Sequence, residues 1–174
     1  MRKIDTSKWE NFIVGEWFDV TRPPARKQND YMAGNVRFVA SGCFNNGVQA
    51  YLKPRNENDI DEGKCITISP VDGYAFWQDV DFLGRGGAGS SIIIVRSNKL
   101  NRYNALFLAT VFRHVFANWK YNAMGNKDIV KSAAVFLPAT PTHSPDFKAM
   151  EEYIKLRERT VKSAVDALQS IFSK

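Results

Sequence analysis

Glu62 and Lys64 have a type and spacing that could support catalysis, because they stand two residues apart as in the tail of a metal-dependent nuclease motif. Such chemistry needs further acidic ligands converging on the same metal ion, usually from a Pro-Asp pair one strand away. The only Pro-Asp pair, Pro145-Asp146, lies far downstream, and the nearby aspartates Asp59 and Asp61 share the polar loop of Glu62. The spacing therefore does not predict a nuclease site.

A glycine-rich segment, FLGRGGAGSS at residues 82–91, could in principle cradle a phosphate. A cofactor loop of that kind needs a helix N-terminus after it, because the helix amides hold the anion. Here a strand-like run, SIIIV, follows instead, and no Asn/Asp-Pro-Pro-aromatic methyltransferase motif is present. We predict a loop between two strands and no dinucleotide or S-adenosylmethionine cofactor.

The cysteines and histidines are too few for a structural metal site. Cys43 and Cys65 lie 22 residues apart without Cys-x-x-Cys spacing, and the only histidines are His114 and His143. His114 lies in an apolar helical segment, which predicts a place at the edge of the core, and His143 lies in a proline-rich corner. We predict no metal, no cofactor and no intrinsic catalysis, in a reduced, cytoplasmic protein.

Length and composition limit the architecture. The 174 residues, 44% hydrophobic and 13% aromatic, suit one domain plus an appendage. No apolar run is long enough to span a membrane. Lys and Arg number 24 against 18 Asp and Glu, a net charge of +6 that fits a nucleic-acid partner. A basic protein with no such partner would show the same balance.

The chain up to residue 97 is predicted to consist mostly of β-strands. Alternating or β-branched runs predict strands at 36–41, 64–70 and 74–82. Tight turns are predicted at Asn46-Gly47, within the segment 44–52, and at Asp72-Gly73. The run 91–97 is apolar throughout, which predicts a strand buried on both faces. An amphipathic helix follows at 102–119 and a last strand at 132–137. We predict an α+β fold, a mostly-β domain with a packed helix.

Polar and basic loops supply the candidate DNA contacts. The segment 21–35 contains two prolines and three basic residues, and a polar segment of this kind belongs at the surface. Arginine and lysine there could reach phosphates and guanine edges, and asparagine in the next loop could reach adenine, although Asn-Gly also suits a turn alone. A merely solvated loop is the alternative. The predicted DNA-contacting residues are Arg22, Arg26, Lys27, Asn45, Asn46, Arg85, Lys120, Tyr121 and Asn122.

A proline-rich corner precedes a long terminal helix, roughly 146–172. Ile154, Val161 and Leu168 recur every seven residues, and a second set offset by four contains Val165 and Phe172 but also Glu151 and Glu158. A helix of this length extends about 40 Å, too far to lie wholly on a small domain. We predict that it packs against another helix; folding back onto its own core is the alternative.

Five stretches, in this order, carry a family resemblance. They are WENFIVGEWFDV (9–20), FVASGCFNNGVQAYL (38–52), ITISPVDGYAFWQDVDF (66–82), NRYNALFLATVFRHVFANWKYN (101–122) and IVKSAAVFLPATPTHSPDFKAMEEYI (129–154). Together they resemble a target recognition domain of the specificity subunits of type I restriction-modification systems. The last stretch, a strand ending in Leu-Pro, a proline connector and a long helix, is the closest match. Its helix start, Asp-Phe-x-x-Met-Glu-x-Tyr-Ile, is more similar to subunits that serve fused restriction-methylation enzymes.

The resemblance implies a division and a function. Residues 1–140 would form the DNA target recognition domain, and 141–174 the connector and a coiled-coil-type spacer helix. The chain would be a non-catalytic specificity subunit that directs a methyltransferase subunit, and a restriction subunit as a further candidate partner, to a bipartite DNA site. A stand-alone DNA-modifying or DNA-cleaving enzyme and a structural interaction domain are the alternatives.

Family members usually carry two recognition domains, so a chain with one resembles a half-size subunit. We therefore predict a homodimer through the terminal helix, with an antiparallel seam of Ile154, Val161, Val165, Leu168 and Phe172.

Overall fold

The computed structural model of the chain describes residues 5–172 and has the α+β architecture that the sequence predicts. The nine strands are β1 Trp9–Ile13, β2 Asp19–Thr21, β3 Ala33–Val39, β4 Val48–Leu52, β5 Cys65–Ile68, β6 Ala75–Gln78, β7 Phe82–Gly84, β8 Ile93–Arg96 and β9 Ala134–Pro138. The four α-helices are α1 Val14–Trp17, α2 Arg102–Val115, α3 Lys127–Ser132 and α4 Phe147–Phe172. None of the helices in this described part has the length and apolarity to cross a membrane.

Three sheets form the β portion. A four-stranded sheet has the order β2-β8-β5-β6 and is antiparallel throughout. A three-stranded sheet has the order β4-β3-β7, in which β3 pairs antiparallel with β4 and parallel with β7. The N-terminal strand β1 pairs antiparallel with β9, which brings the two ends of the domain together.

The strand β8 lies at the centre of the core, as its continuous apolar run predicts. Ile93 and Val95 pack with α2, whereas Ile92 and Ile94 face the three-stranded sheet beside Cys65. Each face of the strand is therefore covered, and residues 92–95 are almost completely buried.

Asparagine caps set the starts of two helices. The Asn101 side chain accepts hydrogen bonds from the amides of Tyr103 and Asn104, and the Asn104 side chain accepts one from the Asn101 amide, a reciprocal cap for α2. Asn126 caps α3 in a similar way through the amides of Asp128 and Ile129. The sequence predicts a loop before β9 where the structure has α3, because six residues show too little periodicity.

Only the first part of α4 rests on the domain. Met150 is fully buried, and Phe147, Tyr153 and Ile154 pack against the main core. Beyond Glu158 every residue of the helix up to Phe172 is exposed. The first half of α4 thus folds onto its own core, which was the alternative. The second half projects from the domain, as predicted.

Candidate nucleic-acid interface

The strand register brings five loops to one end of the molecule. Thr21, at the end of β2, pairs with Ile94 near the start of β8, and Ile68, at the end of β5, pairs with Ile93. In the other sheet Val39, the last residue of β3, pairs with Gly84, the last residue of β7. We call this surface the loop end and define it as residues 22–27, 40–47, 69–74, 85–92 and 116–126.

Hydrogen bonds join four of these five loops, and the fifth, 22–27, packs against the glycine-rich loop. The Ser41 hydroxyl donates to the carbonyl of Ser90 at 2.7 Å, and the Gly42 amide donates to the Ser69 hydroxyl at 3.3 Å. The segment after α2 joins at the far side, where the Gly125 amide donates to the Pro70 carbonyl at 2.9 Å. The loops therefore form one continuous surface.

The glycine-rich loop is shaped by contact with prolines. A Cβ atom added at Gly86 would lie 1.9 Å from the carbonyl oxygen of Pro24 and 2.3 Å from that of Pro23, so no larger residue fits without displacing the backbone. At Gly84, an added Cβ would lie 3.0 Å from the Pro23 ring. The close approach of the prolines explains why glycine occupies positions 84 and 86 without any role in binding phosphate.

Arg26 is buried, so the prediction of its exposure is wrong. It is 3% exposed; its Nε donates to Asp59 at 2.9 Å, and its Nη1 donates to Asp61 at 2.6 Å and to the Gly84 carbonyl at 3.2 Å. Burial of a guanidinium requires partners of this kind. Arg26 therefore ties the segment 22–32 to the loop after β4 and to the end of β7.

The pKa values of this cluster reflect the pairing. Burial alone would lower the pKa of Arg26, but Asp59 and Asp61 outweigh it and the net shift is upward. Burial alone would raise the pKa of Asp59, but hydrogen bonds from Arg26, the Arg55 amide and Tyr31 lower it. Arg26 and Asp59 are thus both charged at neutral pH, and the charge of Arg26 is paired within this cluster instead of facing a phosphate.

The other predicted basic and polar residues remain on the surface. Arg22, Lys27, Lys120 and Asn122 are exposed, and Tyr121 is 79% exposed at the tip of a tight turn closed by the Lys120 and Ala123 backbones. A sixth residue, Arg85, is half-buried and donates to the Ser90 hydroxyl at 2.6 Å.

The two asparagines of the 40–47 loop have different roles. Asn46 donates through Nδ2 to the Trp77 carbonyl at 3.0 Å and to Gln78 Oε1 at 3.2 Å, which fixes the turn on β6. Asn45 is exposed, and its Nδ2 donates only locally, to the Val48 carbonyl at 3.1 Å. The geometry therefore favours the turn role for Asn46. Sequence reasoning missed their neighbour Phe44, which is 82% exposed.

Charge is distributed unequally between the two ends of the sheets. The loop end contains Arg22, Lys27, Arg85 and Lys120 besides the neutralised Arg26, and its only acid is Asp72. The opposite end contains a cleft lined by Glu62, Lys64, Asp79, Asp81, Arg96 and neighbouring residues. A polyanion would therefore meet a more favourable potential at the loop end.

Glu62 and Lys64, the pair considered for catalysis, line the cleft at the opposite end. Arg96 donates to the carbonyls of Glu62 and Gly63, and within residues 5–172 no group of three His, Cys, Asp or Glu is close enough to hold a metal ion. His114 is exposed on α2, not at the edge of the core as predicted, because it lies on the outer face of the helix. Burial raises the pKa of the Cys65 thiol to about 12, so the thiol stays protonated.

The exposed half of α4 forms a second candidate surface. Val161, Val165, Leu168 and Phe172 are 62%, 45%, 55% and 85% exposed, and Ile171 extends the same stripe. By contrast, the predicted seam residue Ile154 is half-buried on its own domain. Glu151 accepts from Asn101 at 2.7 Å and Glu158 from Arg102 at 2.9 Å, so both acids face α2.

The fold and sequence are similar to known specificity subunits. The chain is 21% identical over 171 residues to the specificity subunit S.BcgI of a type II restriction enzyme from Heyndrickxia coagulans, covering 92% of this chain and 47% of that protein. Its structure resembles the S subunit of a type I restriction-modification system from M. genitalium, with a TM-score of 0.55, 14% identity, and coverage of 95% of this chain and 44% of that one.

A second solved structure, the HsdS subunit from Thermoanaerobacter tengcongensis, aligns with a TM-score of 0.58 and 15% identity over 97% of this chain and 41% of that one. The chain thus spans less than half the length of each of these relatives. The family model for the type I restriction modification DNA specificity domain matches residues 6–165. The chain therefore belongs to the family of type I restriction-modification DNA specificity domains.

Proposed function

We propose that this chain binds duplex DNA in a sequence-specific way through the loop end and directs a methyltransferase partner to the bound site. The observation that carries the proposal is the convergence at one end of the sheets of five loops, four of them joined by hydrogen bonds, with four available basic side chains and one acid. Arginine and lysine on such a surface contact phosphates, and loop side chains reach base edges. A cytoplasmic location and a restriction subunit as a further partner belong to the same proposal.

The proposed role is non-catalytic. The acids nearest a nuclease pattern are tied up elsewhere, Asp59 and Asp61 by Arg26, and the glycine-rich loop is filled by the Pro23-Pro24 segment. We therefore assign methylation and cleavage to partner subunits. Metal-dependent cleavage of DNA by the purified chain, abolished by Glu62→Gln, would establish the stand-alone enzyme instead.

Salt-dependent binding tests the DNA assignment. A variant with Arg22, Lys27 and Lys120 all changed to Ala should bind duplex DNA more weakly, and the slope of log K against log salt should fall by about 0.9 for each phosphate that the variant no longer neutralises. A matched variant removes the same charge from Lys8, Lys131 and Lys148, which lie away from the loop end. Equal slopes in the two variants would refute the loop end as the interface.

We further propose a division of the chain and a dimer. Residues 1–140 act as the reading domain, and 141–174 as a connector and spacer helix whose exposed stripe packs antiparallel on that of a second copy. The support is a row of exposed apolar residues at heptad spacing: Val161, Val165, Leu168 and Phe172. Such a row stabilises a helix only when a second surface buries it.

Two copies related by a two-fold axis would read a two-part palindrome with an unread spacer. Sedimentation of the full chain tests the dimer. Val161→Asp with Leu168→Asp should give monomers, whereas Ser163→Asp with Ser170→Asp, at the same spacing on the opposite face, should leave the dimer intact. A wild-type chain that stays monomeric at micromolar concentration, with and without DNA, would contradict the dimer.

A further inference from the structure

The tip of the 40–47 loop presents an aromatic ring to solvent. Phe44 is 82% exposed, although a side chain of this size is normally buried. It lies at the loop end, next to the exposed Asn45. The hydrogen bond from Ser41 to Ser90 joins its loop to the glycine-rich loop. The ring therefore belongs to the surface that we propose for DNA.

The backbone of the loop that carries the ring is held in place by its conformation and by hydrogen bonds. Asn45, Asn46 and Gly47 have φ values of 48°, 57° and 77°, three successive residues in the left-handed region, and the Gly47 amide donates to the Phe44 carbonyl at 2.9 Å. The fully buried Gln78 donates to the Asn46 carbonyl at 3.0 Å, and the Ala40 amide donates to the Gly47 carbonyl at 2.9 Å.

Hydrogen bonds from Gln78 and between Ala40 and Gly47 hold the backbone of the loop that exposes the ring. A strained backbone held by buried groups is typical of functional loops. A loop whose backbone is already fixed in position loses little conformational entropy on binding.

The chemistry around the ring indicates which DNA group it meets. Apolar side chains in the major groove contact the C5-methyl group of thymine, and asparagine pairs with the N6 and N7 edge of adenine. Asn45 uses one of its two N–H groups on the Val48 carbonyl, which leaves the other N–H and Oδ1 available among the described contacts. Phe44 and Asn45 together thus suit an A·T-containing step.

We propose that Phe44 is a specificity-determining residue whose ring packs on the C5-methyl group of one thymine in the major groove. This inference rests on the proposed DNA-binding function and assigns the recognition of one base to one residue. Replacing the ring should remove a preference at a single base pair and leave the remaining readout in place. The expected loss is about fourfold in affinity for the thymine-containing site, the contribution of one buried methyl-sized group.

Selection from a pool of random DNA duplexes tests the proposal with the full chain. Wild type should enrich a motif with a thymine at a fixed position, Phe44→Ala should lose that thymine alone, and Phe44→Leu should keep it. Tyr51→Ala is the matched control, because Tyr51 is an exposed aromatic of β4 outside the loop end. Uracil in place of that thymine should then weaken wild type about fourfold and Phe44→Ala not at all.

Three outcomes would overturn this proposal alone, and a fourth would overturn the proposed function with it. An unchanged Phe44→Ala motif would show that the ring reads no base. Loss of all enrichment by a Phe44→Ala chain with wild-type thermal stability would show that the ring anchors the whole complex. A uracil duplex bound as tightly as the thymine duplex would point to a ring inserted between bases. If wild type itself enriches no motif, sequence-specific DNA binding by the chain is refuted. In the other three outcomes wild type still enriches a motif, and only the role of Phe44 is refuted.

Discussion

Replacing Arg26 by methionine should destabilise the chain by about 3 kcal/mol. The change keeps an apolar stem but leaves Asp59, Asp61 and the Gly84 carbonyl without the guanidinium. Breaking a buried ion pair by removing one partner costs roughly 3–5 kcal/mol. The lower limit applies here because the two carboxylates keep 14% and 11% side-chain exposure, and Asp61 retains the Gly84 amide at 2.8 Å.

Urea and thermal unfolding measure this loss. For a chain of this length about 3 kcal/mol corresponds to a Tm lower by roughly 6–12 °C, with an unchanged urea m-value. The control is Arg37→Met, because the Arg37–Asp79 pair has 32% and 56% side-chain exposure and should cost less than about 1 kcal/mol. An Arg26→Met variant that loses no more than this control would refute the role of Arg26 as a buried link between loops.

The effect should also depend on pH in one direction. Folding lowers the pKa of Asp59, so its ionised pair stabilises the chain fully above the unfolded pKa of about 3.9. That stabilisation is lost as the pH falls through the lower pKa of the folded state. The difference in unfolding free energy between wild type and Arg26→Met should therefore shrink below about pH 4. A constant difference from pH 7 downward would contradict the pairing.

Three further predictions concern packing and reactivity. Gly86→Ala should lower stability and DNA affinity together, because the new Cβ would meet the Pro24 carbonyl; unchanged unfolding and binding curves would contradict the close approach. Met150→Ala should cost about 2–5 kcal/mol in urea unfolding, since Met150 is the fully buried residue by which α4 packs on the domain, and a loss under about 1 kcal/mol would contradict this anchoring of the helix. Of the two free cysteines only Cys43 should react with a thiol reagent in the folded chain, because Cys65 is buried with a pKa raised to about 12; two rapidly reacting thiols would show otherwise.

Local pattern accounts for what the sequence could predict of the fold. The apolar run of β8, the period change at α2 and the proline corner before α4 each depend on neighbouring residues, and each is in the structure. The family resemblance, which rested on the order of five such segments, was confirmed by the family model that matches residues 6–165. Short elements such as α3 gave no signal, because their formation depends on a cap and on tertiary contact.

The candidate site was less predictable, because exposure is a property of the assembled loops. Arg22 and Arg26 stand four residues apart in one basic segment, yet only Arg26 meets two aspartates from a loop more than thirty residues away. Phe44 was missed for the opposite reason, since an aromatic residue beside a strand is typical of a core position. It lies beside three successive left-handed residues, of which Asn46 is held by Gln78, a long-range contact that no local pattern contains.

Hydrogen–deuterium exchange of the full chain, with and without a duplex enriched from the random pool, tests the central claim most directly. The loop end as DNA interface predicts slower exchange on binding in residues 22–27, 40–47, 69–74, 85–92 and 116–126, and little change at the opposite end in residues 53–64, 79–81 and 97–101. Protection confined to the opposite end, or to α4 alone, would contradict the assignment of the loop end as the surface that reads DNA.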